Sequence, residues 1–147
     1  MIATLQKAQL KNSLAAVSPQ HKGFTLVELM VTVAIVAILA SISYPSYIQY
    51  VIRSNRSEAQ QFMLDVANRE EEYFLNNRVY GDLTALGLAT LPSRLGRHYA
   101  VTAVPDNTAQ PPNYTITATP KSGTQQVADG ALSLTQRGAK TPANKWK

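Results

Sequence analysis

Gly23-Phe24-Thr25-Leu26-Val27-Glu28 marks an abrupt change in the character of this chain. The stretch before it carries Lys7, Lys11 and Lys22 and no acid; the stretch after it is apolar as far as Tyr44, with Glu28 as its single charge. The 21 residues from Phe24 to Tyr44 would measure about 31 Å as an α-helix, close to the ~30 Å of a bilayer's hydrocarbon core. Val31, Val33, Ile35, Val36 and Ile38 are weak helix formers in water, but lipid forces backbone hydrogen bonds inward and makes the helix the viable state. A carboxylate within such a segment costs ~2.5–3.5 kcal/mol at mid-bilayer on insertion scales, so Glu28 calls for a partner cation. Two plainer readings compete. Ser41-Ile42-Ser43 resembles the small-residue site of a secretory signal, and the whole run serves equally as a simple single-pass anchor.

The 147 residues suit one domain plus an attached segment. Without residues 1–23 the 14 basic residues become 11 against 9 acidic ones, and the net charge drops from +5 to +2. Much of the basic character therefore belongs to the leader. What remains is uneven: Arg94, Arg97, Lys121, Arg137, Lys140, Lys145 and Lys147 face only Asp106 and Asp129 in the last third. Lys and Arg on phosphates would give steeply salt-dependent DNA binding. With no aromatic interleaving, however, the preferred reading is a solvated surface. There is no cysteine, which in an exported domain requires stability from another source.

Pro45 removes one helical hydrogen bond, and with Ser41, Ser43 and Ser46 beside it the stretch 42–46 is a candidate kink. Beyond it, Ile48, Ile52, Ala59, Phe62, Met63, Val66, Tyr73 and Phe74 recur at three- and four-residue spacing and predict an amphipathic helix. Its polar face would hold Arg53, Arg56, Glu58, Asp65, Arg69 and a solvated Glu70-Glu71-Glu72, with Asp65–Arg69 as an i,i+4 pair. The helix should run from about Phe24 to Asn76-Asn77. Residues 77–97 read as a loop with a helical turn over 82–88, capped by Asp82. Alternating segments at 98–104, 113–119 and 131–135 predict strands, turned at 105–112 and broken at 120–123, with a weak fourth over 139–141 or reaching Trp146. Tyr99, Val101, Ala103, Tyr114, Ile116 and Ala118 should face inward. The fold class is α+β: a long helix packed on an antiparallel sheet of about four strands.

The glycine, the phenylalanine after it, the glutamate five residues beyond the cut and the apolar run resemble the processing site of type IV prepilins. The similarity extends through Pro45-Ser46-Tyr47, Tyr50–Ala59, Tyr114–Pro120, Leu132–Gly138 and Trp146, and within the family it points to PilE-like minor pilins. The resemblance implies a leader of residues 1–23, a filament-core half-helix of 24–45 and a periplasmic head of 46–147. It implies cleavage after Gly23 by a prepilin peptidase, N-methylation of Phe24, and docking of Glu28 against the Phe24 ammonium of a neighbouring subunit. The implied partners are other pilin subunits, the pilus assembly machinery and the inner membrane. The implied roles are twitching motility, attachment or DNA uptake, with a type II secretion pseudopilin as the alternative. The leader is long for this family, and a start near Val17 would shorten it. A disulfide usually closes the family's C-terminal segment; the matching positions here are Asp129 and Lys145, whose opposite charges form a candidate replacement pair, with Trp146 capping the sheet edge.

No catalytic constellation is expected. His98 is the one histidine after the leader, too few ligands for a zinc site, and no nucleophile motif surrounds a serine. The glycines are scattered turn residues, so no cofactor is expected.

Overall fold

The computed structural model describes residues 23–146; the expected leader, apart from Gly23, and the alternative start near Val17 lie outside the described residues. The chain divides into two compact units between Ser41 and Ile42. Helix α1, Leu26–Asn77, contributes to both.

In the first unit α1 begins two residues later than expected, because Thr25 caps it. The Glu28 N–H donates to Thr25 Oγ1 at 3.1 Å and the Leu29 N–H to the Thr25 carbonyl at 3.2 Å. Thr25-x-x-Glu28 is the capping-box pattern, and an acid in the first turn complements the helix dipole. Every described residue of this unit, from Gly23 to Ser41, is exposed. By length and composition, α1 is long and apolar enough to cross a membrane.

The second unit packs the rest of α1 on a sheet of order β1-β2-β3-β4. The strands are β1 Tyr99–Asp106, β2 Asn113–Pro120, β3 Leu132–Thr135 and β4 Lys140–Thr141, all antiparallel. Register follows side-chain alternation: Val101 faces Ala118, Ala103 faces Ile116, and Ile116 faces Leu134. Tyr99, Val101, Ala103, Tyr114, Ile116, Ala118, Leu132 and Leu134 all bury one face. They meet Ala59, Met63 and Val66 of α1, flanked by half-buried Phe62, Tyr73 and Phe74. Burying Met63, Ile116 or Leu132 contributes about 1.5–3 kcal/mol each.

Several boundaries differ from expectation. The stretch expected as loop over 77–97 contains a second helix, α2 Ser93–His98, whose Leu95 is buried; His98 closes that helix rather than opening β1. Pro105 and Pro120 lie inside β1 and β2, at positions where their missing N–H is tolerated. The Asp106 carboxylate organises the turn after β1. It accepts from the Thr108 hydroxyl at 2.7 Å and from the Ala109 and Thr108 N–H groups, each at 3.1 Å, and these bonds hold its pKa below the usual range. The fourth strand is limited to Lys140–Thr141. The expected turn over 82–88 is present, with Asp82 Oδ1 accepting from the Ala85 N–H at 2.8 Å.

The largest correction concerns Glu70, expected in solvent and found fully buried. It lies four residues after Val66 and seven after Met63, on the buried stripe. One oxygen accepts the Gly81 N–H at 2.9 Å, and the other, Oε1, has no partner. Gly81 is required there by close approach, since a Cβ would lie 2.9 Å from the Ala85 Cβ and 3.3 Å from the Tyr73 ring. Beside this anchor Phe74 stacks on Tyr80 at 4.6 Å, and Tyr80 meets the Tyr114 ring edge-on at 4.8 Å.

Candidate functional site

The expected functional residues fall in two separate places, one in each unit. In the first, Gly23 and Phe24 precede the helix and are exposed, Phe24 by 77 %. A Cβ on Gly23 would meet nothing within 4 Å, so nothing in the described structure itself demands a glycine there. Glu28 sits in the first turn of α1. Its N–H is satisfied by Thr25 and its carbonyl accepts from Thr32 Oγ1, while its carboxylate has no cationic partner among the described residues. Around it Leu26, Val27, Leu29 and Met30 present bare apolar surface. The arrangement is a lone carboxylate on an uncovered apolar helix, suited to a cation brought by another molecule.

The second place is a polar cluster in the head. The 3-10 turn Gln125–Asp129 puts Asp129, only 8 % exposed, against α1. Asp129 Oδ1 lies 2.8 Å from Arg56 Nη1 and 3.3 Å from Lys145 Nζ, and Oδ2 accepts from Gln126 Nε2 at 3.3 Å. The structure thus brings Asp129 and Lys145 together, with Arg56 as the nearer cation. Arg56 was expected on the solvated face of the helix; its pairing with Asp129 corrects that. Gln126 also donates to the Ile52 carbonyl at 3.0 Å and accepts from Asn55 Nδ2 at 3.3 Å. Gln60 Nε2 donates to the Lys145 carbonyl at 2.8 Å, tying the C-terminal segment to α1. Tyr99 packs against this cluster with its hydroxyl buried and unbonded; burial first, then the Asp129 charge, pushes its pKa up to about 12. Burial and the Glu71 charge likewise raise the Tyr114 phenol. Neither tyrosine ionises near neutral pH.

Trp146 donates from Nε1 to the Thr141 carbonyl at 3.4 Å, and Lys140 Nζ lies 5.3 Å from its ring centroid. One basic residue of the C-terminal third, Lys140, thus lies beside an aromatic ring. Arg94 is held by Glu58 at 3.1 Å and by Ser54 at 3.1 Å, and Arg69 pairs with Asp65 at 3.3 Å. Among the described residues Arg53, Arg97, Lys121, Arg137 and Lys140 make no ion pair. No group of three or more metal-binding side chains occurs among the described residues.

Comparison with known proteins bears on both places. Residues 45–133 match the family described as "Type IV minor pilin ComP, DNA uptake sequence receptor", and residues 19–44 match the prokaryotic N-terminal methylation motif. The chain is 38 % identical over 88 residues to the type IV major pilin protein PilA of Myxococcus xanthus, covering 58 % of this chain and 39 % of that one. It is 36 % identical over 79 residues to the type IV major pilin protein PilE of Neisseria gonorrhoeae, covering 53 % and 47 %. The fimbrial protein EcpC of Eikenella corrodens is 39 % identical over 103 residues, covering 69 % and 64 %. The chain thus spans about half or less of the length of the first two pilins.

Proposed function

Since this chain belongs to the family of the type IV minor pilin ComP, we propose that it is a low-abundance structural subunit of a type IV pilus. In this reading a prepilin peptidase cuts after Gly23 and Phe24 is N-methylated. The subunit waits in the inner membrane with its head in the periplasm, and the assembly machinery draws it into a filament. Pro45, which lacks the N–H for one bond of the α1 ladder, is the proposed bend. The observation that carries the reading is Glu28, a carboxylate with no cationic partner among the described residues, on an exposed apolar helix, five residues past a glycine that the described structure does not need. In a filament core a neighbour's Phe24 ammonium would supply the missing charge and fix axial register. The test is Glu28→Leu in cells that also make the wild-type subunit. The variant should insert and be processed, yet be depleted from sheared pili. Incorporation equal to wild type would refute docking through Glu28.

A second role follows from the family's printed description as a DNA uptake sequence receptor. We propose that the unpaired cations of the head contact DNA phosphates, with Lys140 and Trp146 offering a cation beside a stacking surface. This revises the preference for a purely solvated surface. Filter binding of double-stranded DNA by the purified protein should weaken steeply with salt, and one particular sequence should be retained more tightly than others at a given salt if the readout is specific. Salt-independent or absent retention would exclude the DNA role and leave the structural one standing.

A further inference from the structure

The head uses four of the seven tyrosines and leaves three outside. Tyr80, Tyr99 and Tyr114 are buried and Tyr73 is half-buried, whereas Tyr44, Tyr47 and Tyr50 are 66, 64 and 67 % exposed. The three exposed phenols make no hydrogen bond to the described residues, although Ile52, two residues beyond Tyr50, is buried in the head and Ile48 is half-buried. Arg53 comes next at the same three-residue step, exposed and without an ion pair. Four side chains at steps of three cannot share one helix face; each is displaced by about −60° from the last, so together they wrap half the helix. A wrap of this kind suits a layer that surrounds the helix better than a single flat contact.

The same residues close the apolar segment. Tyr44 ends the run that begins at Phe24; Tyr44 to Tyr50 rise roughly 9 Å along α1, comparable to the ~5–8 Å of one headgroup layer, and Arg53 lies about 4.5 Å farther out. Helical side chains tilt toward the helix N-terminus, here toward the apolar segment. The phenols and the Arg53 guanidinium are therefore directed back at the level where that segment would leave hydrocarbon. Tyrosine suits that level, with an apolar ring and a hydrated hydroxyl, and a guanidinium there complements phosphate.

We propose that Tyr44, Tyr47, Tyr50 and Arg53 form an interfacial collar that binds phospholipid headgroups and sets the depth of the subunit in the bilayer before assembly. The inference rests on the membrane-anchor reading above and adds to it a recognition surface and its ligand chemistry. The collar opposes sinking through Arg53 and opposes withdrawal through the three rings. Extraction into a filament then exchanges lipid contacts for others along both the apolar segment and the collar.

The test uses the full chain, reconstituted into vesicles of phosphatidylcholine with a quarter phosphatidylglycerol. Single-indole proteins are made by combining Trp146→Phe with either Tyr47→Trp or Val33→Trp. Lipids brominated near the headgroup or near the chain end serve as quenchers. The indole of Tyr47→Trp should be quenched most by the shallow bromine and that of Val33→Trp by the deep one. Adding Arg53→Gln should shift the Tyr47→Trp profile toward the deep label, because the opposition to sinking is gone. Deep quenching of Val33→Trp with none at Tyr47→Trp would overturn the collar alone. An indole at position 47 shielded only at high protein-to-lipid ratio would also overturn it, assigning these rings to contact between subunits. An unquenched Val33→Trp would overturn the anchor reading and the collar with it.

Discussion

Burial lifts the pKa of Glu70 above the usual carboxylate range; the Gly81 N–H bond opposes this, and the charges of Glu71 and Asp82 add to it. The folded protein therefore holds this proton more tightly than the unfolded chain does. The associated stability is complete below the unfolded carboxylate's pKa and is lost as pH rises through the folded value. Glu70→Gln keeps an oxygen for Gly81 and removes the titration, so the variant should gain in melting temperature relative to wild type between pH 4 and pH 7. Parallel melting curves would count against the assignment. Asp129 shows the opposite economy, a buried charge that is well paired. Asp129→Ala strands Arg56 and leaves Gln126 Nε2 with one acceptor fewer, and should cost about 3–5 kcal/mol. Lys145→Ala removes the more distant and more exposed cation and should cost about 0–1 kcal/mol. Chemical denaturation of the two variants measures the contrast, and equal losses would show that the two cations share the work.

At the scale of elements, the strand faces were legible because alternation of apolar and polar residues has a period of two, and Tyr114-Thr115-Ile116-Thr117-Ala118 obeys it without interruption. Helix α1 was legible from its three- and four-residue spacing. Glu70 was misjudged because its chemistry argued for solvent while its register, following Ala59, Met63 and Val66, argued for the core. Helix α2 was missed because Pro92 and Gly96 are loop signals, and burial of Leu95, a tertiary effect, overrides them. The Arg56–Asp129 bond joins residues 73 positions apart, a contact to which no local pattern points. The C-terminal segment is held to the head by that cluster, by Gln60 and by Trp146, where the family resemblance implies a covalent link. Asp129→Cys with Lys145→Cys should therefore oxidise spontaneously in an oxidising compartment. Closing a loop of this size would offset about 3 kcal/mol of what the lost ion pairs contributed. Free thiols in a folded head, counted by alkylation and mass, would show that these backbones lie too far apart to bridge.

At the scale of the whole molecule, the apolar residues from Phe24 to Leu39 are left bare, a larger uncovered apolar surface than soluble monomers ordinarily expose. In the function proposed above, the same surface would serve as anchor and filament core in turn. Everything proposed for that surface depends on where the mature chain begins. The direct measurement is the mass of the N-terminal peptide of this subunit in sheared pili. The expected peptide starts at Phe24 and carries one added methyl group. A peptide that starts after Ser43, as a secretory signal would leave, or one that retains residues before Phe24, would contradict it.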